Sequence, residues 1–300
     1  MIKLQTAEIG LYFRGFLIYN KETVFCGGTF LMISILSKAY AGVITLAGET
    51  AEQTSSGWFG DLWNKLRDDF INNFITKDRY MYLLKGLGVT FEVTIFAALL
   101  GILLGIIVAL IRSSHDKLAE ELRPGFLKGL LAVLNFISNL YLTVVRGTPV
   151  VVQLMIAYFI IFATSNNKVL VAILAFGINS GAYVAEIIRS GIMSIDIGQF
   201  EAGRSLGFGY IRTMIYIIIP QAFKNVLPAL ANEFIVLIKE TSVSGYVGLQ
   251  DLTKGGDIIR SRTYSAFMPL IAVAVIYLVI VIFFSKLVTL LERRLRNSDR

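Results

Sequence analysis

The sequence is poor in the side chains on which most enzyme and metal chemistry depends. Its 300 residues include one cysteine, Cys26, and one histidine, His115. A single cysteine excludes a disulfide within the chain and a thiolate metal cluster. His115 lies in the charged stretch IRSSHDK, which is typical of a solvated loop and not of a Ser/His/Asp site. We therefore expect no metal site, no cofactor and no catalytic residues in this chain.

Charged residues and nucleotide-binding motifs are scarce as well. Charged residues make up 16% of the chain, whereas a soluble domain carries about 25%. The sequence has no G-x-x-x-x-G-K-[ST] motif, so it lacks the usual loop that binds nucleotide phosphates. If the protein moves a substrate, the energy must come from an ion gradient or from a partner that hydrolyses nucleotide.

What the chain has in abundance is hydrophobicity. Hydrophobic residues make up 55% of it, and its mean hydropathy is +0.69, so we expect an integral membrane protein with helical spans. The formal net charge of +7 fits the excess of Lys and Arg that flanks spans on the cytoplasmic side. Because no basic stripe interleaved with aromatic residues accompanies it, nucleic acid is not an expected partner.

Five candidate spans follow residue 80, given that a spanning helix needs about 20 apolar residues. They are residues 83–111, 150–163, 169–188, 214–238 and 268–291. The second is short, but the apolar stretch 130–145 precedes it, so we expect one long or broken helix across VVRGTPVVV. Thr148 and Pro149 mark a kink or a helix start there, because proline disfavours a helical residue before it.

The distribution of Lys and Arg gives the orientation of these spans. Basic residues follow the first span and fill the C-terminal tail, which places both on the cytoplasmic side. Alternation then puts residues 190–213 inside and 240–266 outside. Two G-x-x-x-G pairs, Gly101 with Gly105 and Gly177 with Gly181, predict close packing between helices.

The first 80 residues form an extension with two predicted features. Residues 24–47 are apolar and predict an additional spanning helix, although AYAG at residues 39–42 also fits a cleaved secretory signal. Residues 57–80 place tryptophan and phenylalanine among charges and predict an amphipathic helix at the membrane surface. The remainder, 81–300, holds the five core spans.

The cytoplasmic loop 190–213 interrupts this apolar chain with the helix-forming stretch FEAGRSLGFG. Glu201 and Arg204 stand three apart, and Gly207 can adopt the left-handed turn that ends a helix. A short helix held at the mouths of two spans is suited to docking into a groove on a soluble partner. Motion of that partner would pass directly to the spans.

These residues resemble a known family. Glu201-Ala202-Gly203, with Gly207 four positions later and Pro220 beyond, is similar to the EAA loop of permease subunits of bacterial ABC importers. The stretches YLTVVRGTPVVVQL (141–154), INSGAYVAEIIRSGI (178–192) and LIKETSV (237–243) look like the branch that takes up polar amino acids. The resemblance runs from about residue 84 to residue 296.

The resemblance implies an all-α protein with the five-helix core of a type I ABC importer permease, here with an extra N-terminal helix. It implies an ATPase contact at Glu201, Ala202, Gly203, Arg204 and Gly207. Two cytoplasmic ATPase subunits, an external amino acid binding protein and a second permease copy or a related permease are the implied partners. At Gly203 the family often has alanine, so glycine predicts a less stiff helix.

The third core span carries the best candidates for a substrate site. Ionisable groups within a span are costly and usually face a cavity or a partner. Glu186 either receives the ammonium of an amino acid or forms a structural pair with Arg189, three residues on. Asn179 and Tyr183 lie on the same helix face as Glu186 and could line the pathway toward the outer side.

Three further residues are candidates at helix ends. Arg146 precedes the Thr148-Pro149 helix start, where positive potential suits a carboxylate, or it anchors its helix on the cytoplasmic side. Thr241 and Ser242, near the outer end of the fourth span, could bond either an unwound helix end or the substrate.

Two alternatives to an ATP-driven permease remain open in the sequence. An ion-coupled secondary transporter or channel would use intramembrane carboxylates, for which Glu92, Glu186 and Glu233 are available. The five core spans show no inverted repeat, which is unfavourable to that alternative. A membrane scaffold without transport has only the general hydrophobicity in its favour.

Overall fold

Helices dominate the part of the chain that the structure describes. The computed structural model describes residues 58–118 and 125–297, and no strand occurs within these two ranges. The predicted helix at 24–47 lies outside them. The α-helices are α1 (Trp58–Phe70), α2 (Tyr80–Leu118), α3 (Phe126–Gly147), α4 (Val150–Ile156), α5 (Lys168–Met193), α6 (Ile197–Ser205), α7 (Tyr210–Thr213), α8 (Ile219–Glu240), α9 (Leu252–Thr263) and α10 (Phe267–Asn297).

Shorter helical turns join several of these helices. Segments of π-helix occur at Ile71–Ile75, Ala157–Ile161 and Met214–Ile218, and segments of 3₁₀-helix occur at Thr76–Asp78 and Thr241–Val247. The π-turn Met214–Ile218 links α7 to α8, which has Pro220 in its first turn. That proline is accommodated because the first N–H groups of a helix have no partner within the helix.

Five helical segments within the described ranges are long and apolar enough to cross a membrane. They are Tyr80–Asp116, Phe126–Gly147, Lys168–Met193, Tyr210–Val247 and Phe267–Leu295. The expected all-α membrane protein with five spans is thereby confirmed. The second long segment is α3, whereas the stretch at Val150–Ile161 is a shorter apolar helix.

Glycines bring α2 and α5 into close contact at the centre of the bundle. A methyl group at Gly105 would lie 2.4 Å from Cγ1 of Val184, and one at Gly177 would lie 2.6 Å from Cδ2 of Leu100. Carbon atoms do not approach each other that closely, so a larger residue would push the helices apart. The predicted role of both G-x-x-x-G pairs in helix packing is confirmed.

We expect Gly105→Val to lower the melting temperature of the purified protein. The added side chain must displace Val184, and such overpacking costs about 1–3 kcal/mol or more. The matched control is Gly88→Ala in the same helix, because no atom lies within 4 Å of a methyl group there. Thermal unfolding in detergent, followed by the loss of the monodisperse size-exclusion peak, measures both variants. Equal melting temperatures would contradict the packing role.

The contacts between α2 and α5 also fix the direction of these helices. Gly101 meets Ser180, and Gly105 meets Val184, so the two helices run the same way. Two spans of the same direction require the chain between them to return across the bilayer once.

A sharp turn separates α3 from α4. Thr148 and Pro149 are both extended, with ψ of 145° and 136°, and α4 starts at Val150. The side-chain amide of Gln153 donates to the carbonyl of Val145 at 2.7 Å. In a continuous helix these residues would be about 12 Å apart along the axis. The helix start predicted at Pro149 is confirmed, and a single long helix is excluded.

The two helices on either side of the turn both contact α5. The contacts are Tyr141 with Ile178 and Arg146 with Glu186 for α3, and Gln153 with Asn179 and Tyr158 with Lys168 for α4. Contacts of α4 go back towards the beginning of α5, so these two helices are antiparallel. Because α2 and α5 run the same way, α3 and α4 together make the return path.

An additional helix, α9, packs across the beginning of α2. A methyl group at Gly255 would lie 2.5 Å from the carbonyl oxygen of Tyr82, and one at Gly86 would lie 2.4 Å from that of Asp251. The two backbones thus touch directly. The sequence predicted only that residues 240–266 lie on the outer side, and the structure adds α9 to that stretch.

The segment before α2 is not the single helix predicted over 57–80. The chain divides into two compact units at Leu66 and Arg67. Within the second unit, the helix that begins as α1 continues as a π-turn to Ile75, and Lys77 and Asp78 then have φ of 58° and 52°. Left-handed residues with a side chain end a right-handed helix, so α1 and α2 are separate helices joined by a corner.

Candidate functional site

Both ends of α6 are defined by hydrogen bonds. The Asp196 side chain accepts a hydrogen bond from a backbone N–H of the first turn at 2.6 Å. At the other end, the N–H groups of Gly207 and Phe208 donate to the carbonyls of Arg204 and Gly203 at 2.9 and 3.0 Å. This is the Schellman arrangement, which needs a left-handed residue. Gly207 has φ of 77°, so the left-handed turn predicted there is confirmed.

Gly203 allows α6 to pack closely against α7. It is buried, and a methyl group in its place would lie 2.7 Å from both Oγ1 and Cγ2 of Thr213. The sequence predicted that glycine here would make the helix less stiff. The structure gives it a packing role, because the side chain of Thr213 occupies the space that an alanine methyl group would need.

Hydrogen bonds and apolar contacts tie α6 to the neighbouring spans. The side-chain amide of Gln221 on α8 donates to Gln199 on α6 at 3.3 Å, and that of Asn225 donates to Ser194 at 3.0 Å. Phe200 packs against the buried cluster of Ile192, Met214, Ile218 and Ala222. These contacts connect α6 and the residues before it to the end of α5 and to the beginning of α8.

The opposite side of α6 is open to solvent. Glu201 and Ala202 are exposed, and Leu206 is 71% exposed. Ile197, at the start of the helix, is 66% exposed. A charged group flanked by two protruding aliphatic side chains forms a surface that a groove on another protein can enclose. Of the predicted contact residues, Gly203 alone is buried and faces the protein itself.

A polar cavity lies among α2, α3 and α5 and has a volume of about 450 Å³. It is lined by Arg112, Asn139, Leu142, Thr143, Arg146, Gly147, Glu186 and Arg189. Three guanidinium groups and a single carboxylate meet there, so the cavity has an excess of positive charge.

Glu186 and Arg146 form an ion pair across this cavity. Nη1 of Arg146 contacts Oε2 of Glu186, and the guanidinium also lies 5.6 Å from the centre of the Tyr183 ring. Both charged side chains remain about 40% exposed, so the pair is open to the cavity. Two residues that the sequence treated as separate candidates form one unit, and Tyr183 belongs to it.

The expected pair between Glu186 and Arg189 is wrong. Arg189 instead lies 3.5 Å from the carboxylate of Asp116 on α2, and it contacts the sulfur of Met193. The physical reason is the contact of α3 with α5, which brings Arg146 to Glu186. A spacing of three residues made the local pair possible but could not decide between it and a partner from another helix.

Asn179 has a structural partner. It is buried, and its side-chain amide donates to Gln153 at 3.0 Å. Gln153 in turn donates to the Thr148 hydroxyl at 2.8 Å and to the carbonyl of Val145. This network fixes the turn between α3 and α4, which directly follows Arg146 in the chain. Asn179 is not among the residues that line the cavity.

Thr241 and Ser242 lie apart from this cluster. The buried hydroxyl of Thr241 donates to the carbonyl of Ile238 at 2.7 Å. This hydrogen bond gives a partner to a carbonyl at the end of α8, which was one of the two predicted alternatives for Thr241. Ser242 is half-buried in the 3₁₀ segment that follows. Neither residue lines the cavity around Arg146 and Glu186.

Sequence reasoning missed several polar residues of this site. Asn139 and Thr143 precede Arg146 by seven and three positions, so the three share one helix face and line the cavity. This spacing in an apolar helix is a signal that could have identified them. Asp116 and Gln153 gave no such signal, because their partners lie on distant helices.

The fold and the site together define a multi-span membrane transport subunit with a short helix held between two spans. Residues 125–297 match the family model described as the inner membrane component of binding-protein-dependent transport systems. Since this match covers more than half of the chain, the protein belongs to that family. The resemblance to permease subunits of ABC importers is thereby confirmed.

Individual relatives support the same assignment. The chain is 37% identical over 221 residues to an arginine transport system permease protein of Bacillus subtilis (strain 168), covering 73% of this chain and 94% of that protein. It is 33% identical over 220 residues to a putative glutamine transport system permease protein of Rickettsia typhi, covering 72% and 94%. A crystal structure of an amino acid ABC transporter with histidines superposes with a TM-score of 0.64 at 42% identity, covering 74% and 98%.

Proposed function

We propose that this chain is the transmembrane permease subunit of an ATP-driven importer of polar amino acids. The names of the relatives support the substrate class, since they include permeases for arginine and glutamine. The observation that carries the proposal is the structure of α6. This helix has hydrogen-bonded caps at both ends. Its exposed side presents Glu201 and Leu206, and its buried side contacts the ends of α5 and α8.

The permease supplies half of the pathway and no hydrolytic chemistry. A second copy of this chain or a related permease completes the pathway, and two cytoplasmic ATPase subunits bind the α6 helices. An external binding protein delivers the amino acid to the ends of the spans opposite α6. The protein is accordingly placed in the bacterial cell membrane with its C-terminus in the cytoplasm. Homodimer and heterodimer both satisfy this arrangement.

ATP binding closes the ATPase pair and draws the two α6 helices together. Because Gln199 and Ser194 are bonded to α8 at Gln221 and Asn225, that movement shifts α5 and α8 together. The cavity then opens outward, and hydrolysis with product release restores the inward state.

The Arg146–Glu186 pair is suited to a zwitterionic substrate. An amino acid that enters the cavity brings a carboxylate for Arg146 and an ammonium for Glu186. Each charge of the separated pair therefore regains a partner, and no charge is left unpaired when water is excluded. In the absence of substrate the two residues neutralise each other. The exposure of the pair to the cavity supports an ammonium-binding role for Glu186.

Reconstitution tests this function as a whole. The full chain is purified in mild detergent with its nucleotide-binding partner and inserted into liposomes, and uptake of labelled polar amino acids is measured with ATP and the external binding protein. We expect uptake only when ATP is supplied. Uptake driven by an ion gradient in vesicles that contain this chain alone would overturn the proposal.

A further inference from the structure

Helix α1 has an apolar stripe that belongs to neither the pathway nor the coupling helix. At 100° per residue, Phe59, Leu62, Trp63, Leu66 and Phe70 fall within an arc of about 100°. Three of the five are aromatic. The stripe is the apolar face of an amphipathic helix.

The stripe is exposed in the structure. Phe59 is 70% exposed and Trp63 is 49% exposed. The polar face holds Asp61, Lys65 and Asp68, all on the other side of the helix axis. An aromatic surface of this kind is costly to leave in water, so it requires a cover.

The residues that follow α1 lie at a membrane boundary. Asn73 is fully buried, and its side-chain oxygen accepts a hydrogen bond from the Thr263 hydroxyl at 2.7 Å. Thr263 ends α9, and the span that begins at Phe267 follows four residues later. The span α2 begins at Tyr80. Asn73 is thus held beside the ends of two spans, three residues after the end of α1 in the chain.

We propose that α1 lies on the bilayer surface and inserts its apolar stripe among the lipids, at the end of the spans opposite α6. The charges within α1 are Asp61, Lys65, Arg67, Asp68 and Asp69. Three acidic groups against two basic groups give no attraction to anionic lipid. Apolar burial therefore drives the contact, and neutral phosphatidylcholine is a sufficient lipid. The left-handed residues Lys77 and Asp78 interrupt the helix between α1 and α2.

The chain contains its own probe for this contact. Its only two tryptophans, Trp58 and Trp63, both belong to α1. In the variant Trp58→Phe, all tryptophan emission comes from Trp63 on the stripe. The matched control carries Trp58→Phe, Trp63→Phe and Asp68→Trp, which moves the single tryptophan to the opposite face of the helix.

Both full-length variants are placed in phosphatidylcholine vesicles whose acyl chains are brominated near the headgroup. We expect bromine to quench Trp63 at least about twofold more than the tryptophan at position 68, and aqueous iodide to show the reverse order. Equal quenching of both positions by brominated lipid would overturn the proposal. Shielding of Trp63 from bromine and iodide alike would also overturn it, because protein would then cover the stripe.

Discussion

Substrate-stimulated ATP hydrolysis by the reconstituted complex is expected to fall at least about tenfold when Gly207 is replaced by leucine. The left-handed conformation costs a residue with a Cβ about 1–2 kcal/mol, and relief of that strain unwinds the Schellman end of α6. The docking surface then loses its position. Phosphate release measured with and without binding protein and amino acid gives the stimulated rate directly.

The chain provides a close control for this variant. Gly209 lies two residues further on, with φ of −73° and no atom within 4 Å of an added methyl group. Gly209→Leu should therefore leave the stimulated rate nearly unchanged. Gly207→Asn should retain most activity, because asparagine tolerates the left-handed region. A fully active Gly207→Leu complex would remove the basis for α6 as the coupling element.

Charge reversal at Glu201 tests the same surface without a backbone effect. Glu201→Lys keeps the helix, since lysine is as good a helix former as glutamate, but it reverses the exposed charge that we propose to face the ATPase. We expect loss of stimulated hydrolysis with a normal amount of permease in the membrane. Unchanged turnover would contradict a contact at this residue.

The second large effect is expected at the ion pair in the cavity. Glu186→Gln leaves Arg146 without its counter-charge, and loss of a charge-assisted hydrogen bond of about 1.5–3 kcal/mol corresponds to tenfold or more in substrate affinity. Initial uptake rates over a range of external amino acid concentrations measure the effect. A rise in the half-saturating concentration is the expected result.

An exchange of the two charges distinguishes substrate recognition from a purely structural pair. The double variant Arg146→Glu, Glu186→Arg restores an ion pair between α3 and α5. If the pair only held the helices together, uptake would recover with stability. We expect the melting temperature to recover while uptake stays low, because the reversed charges no longer match the order of ammonium and carboxylate on the bound amino acid.

The coupling helix and the cavity are linked through α5. Glu186 lies seven residues before Met193, at the end of that helix, and Ser194 just beyond it is bonded to Asn225 on α8. Fewer than three helical turns therefore separate the ion pair from the connection between α5 and α6. This short path gives the two predictions a common mechanical basis, although each can fail alone.

Local sequence signals predicted the parts of the fold that depend on neighbouring residues. Hydropathy gave four of the five spans and placed the second at 150–163, after the apolar stretch 130–145 that forms it. The glycine pairs gave sites of close helix packing, and Gly207 gave the end of α6. Pro149 gave the start of α4, because proline excludes a helical residue before it. These features depend only on residues that are close in the sequence. Their causes are the transfer of apolar side chains from water to the bilayer, the steric limits of the backbone and the missing N–H donor of proline.

The sequence alone therefore determined that this chain is a helical membrane protein with a short charged helix between two of its spans. Only the tertiary structure decided that Gln153 folds back onto Val145 at the turn between α3 and α4 and that Glu186 pairs with Arg146 and not with Arg189. It also decided that Gly203 leaves room for Thr213. Such pairings depend on which helices meet and in which direction they run, and that is set by the packing of the whole bundle.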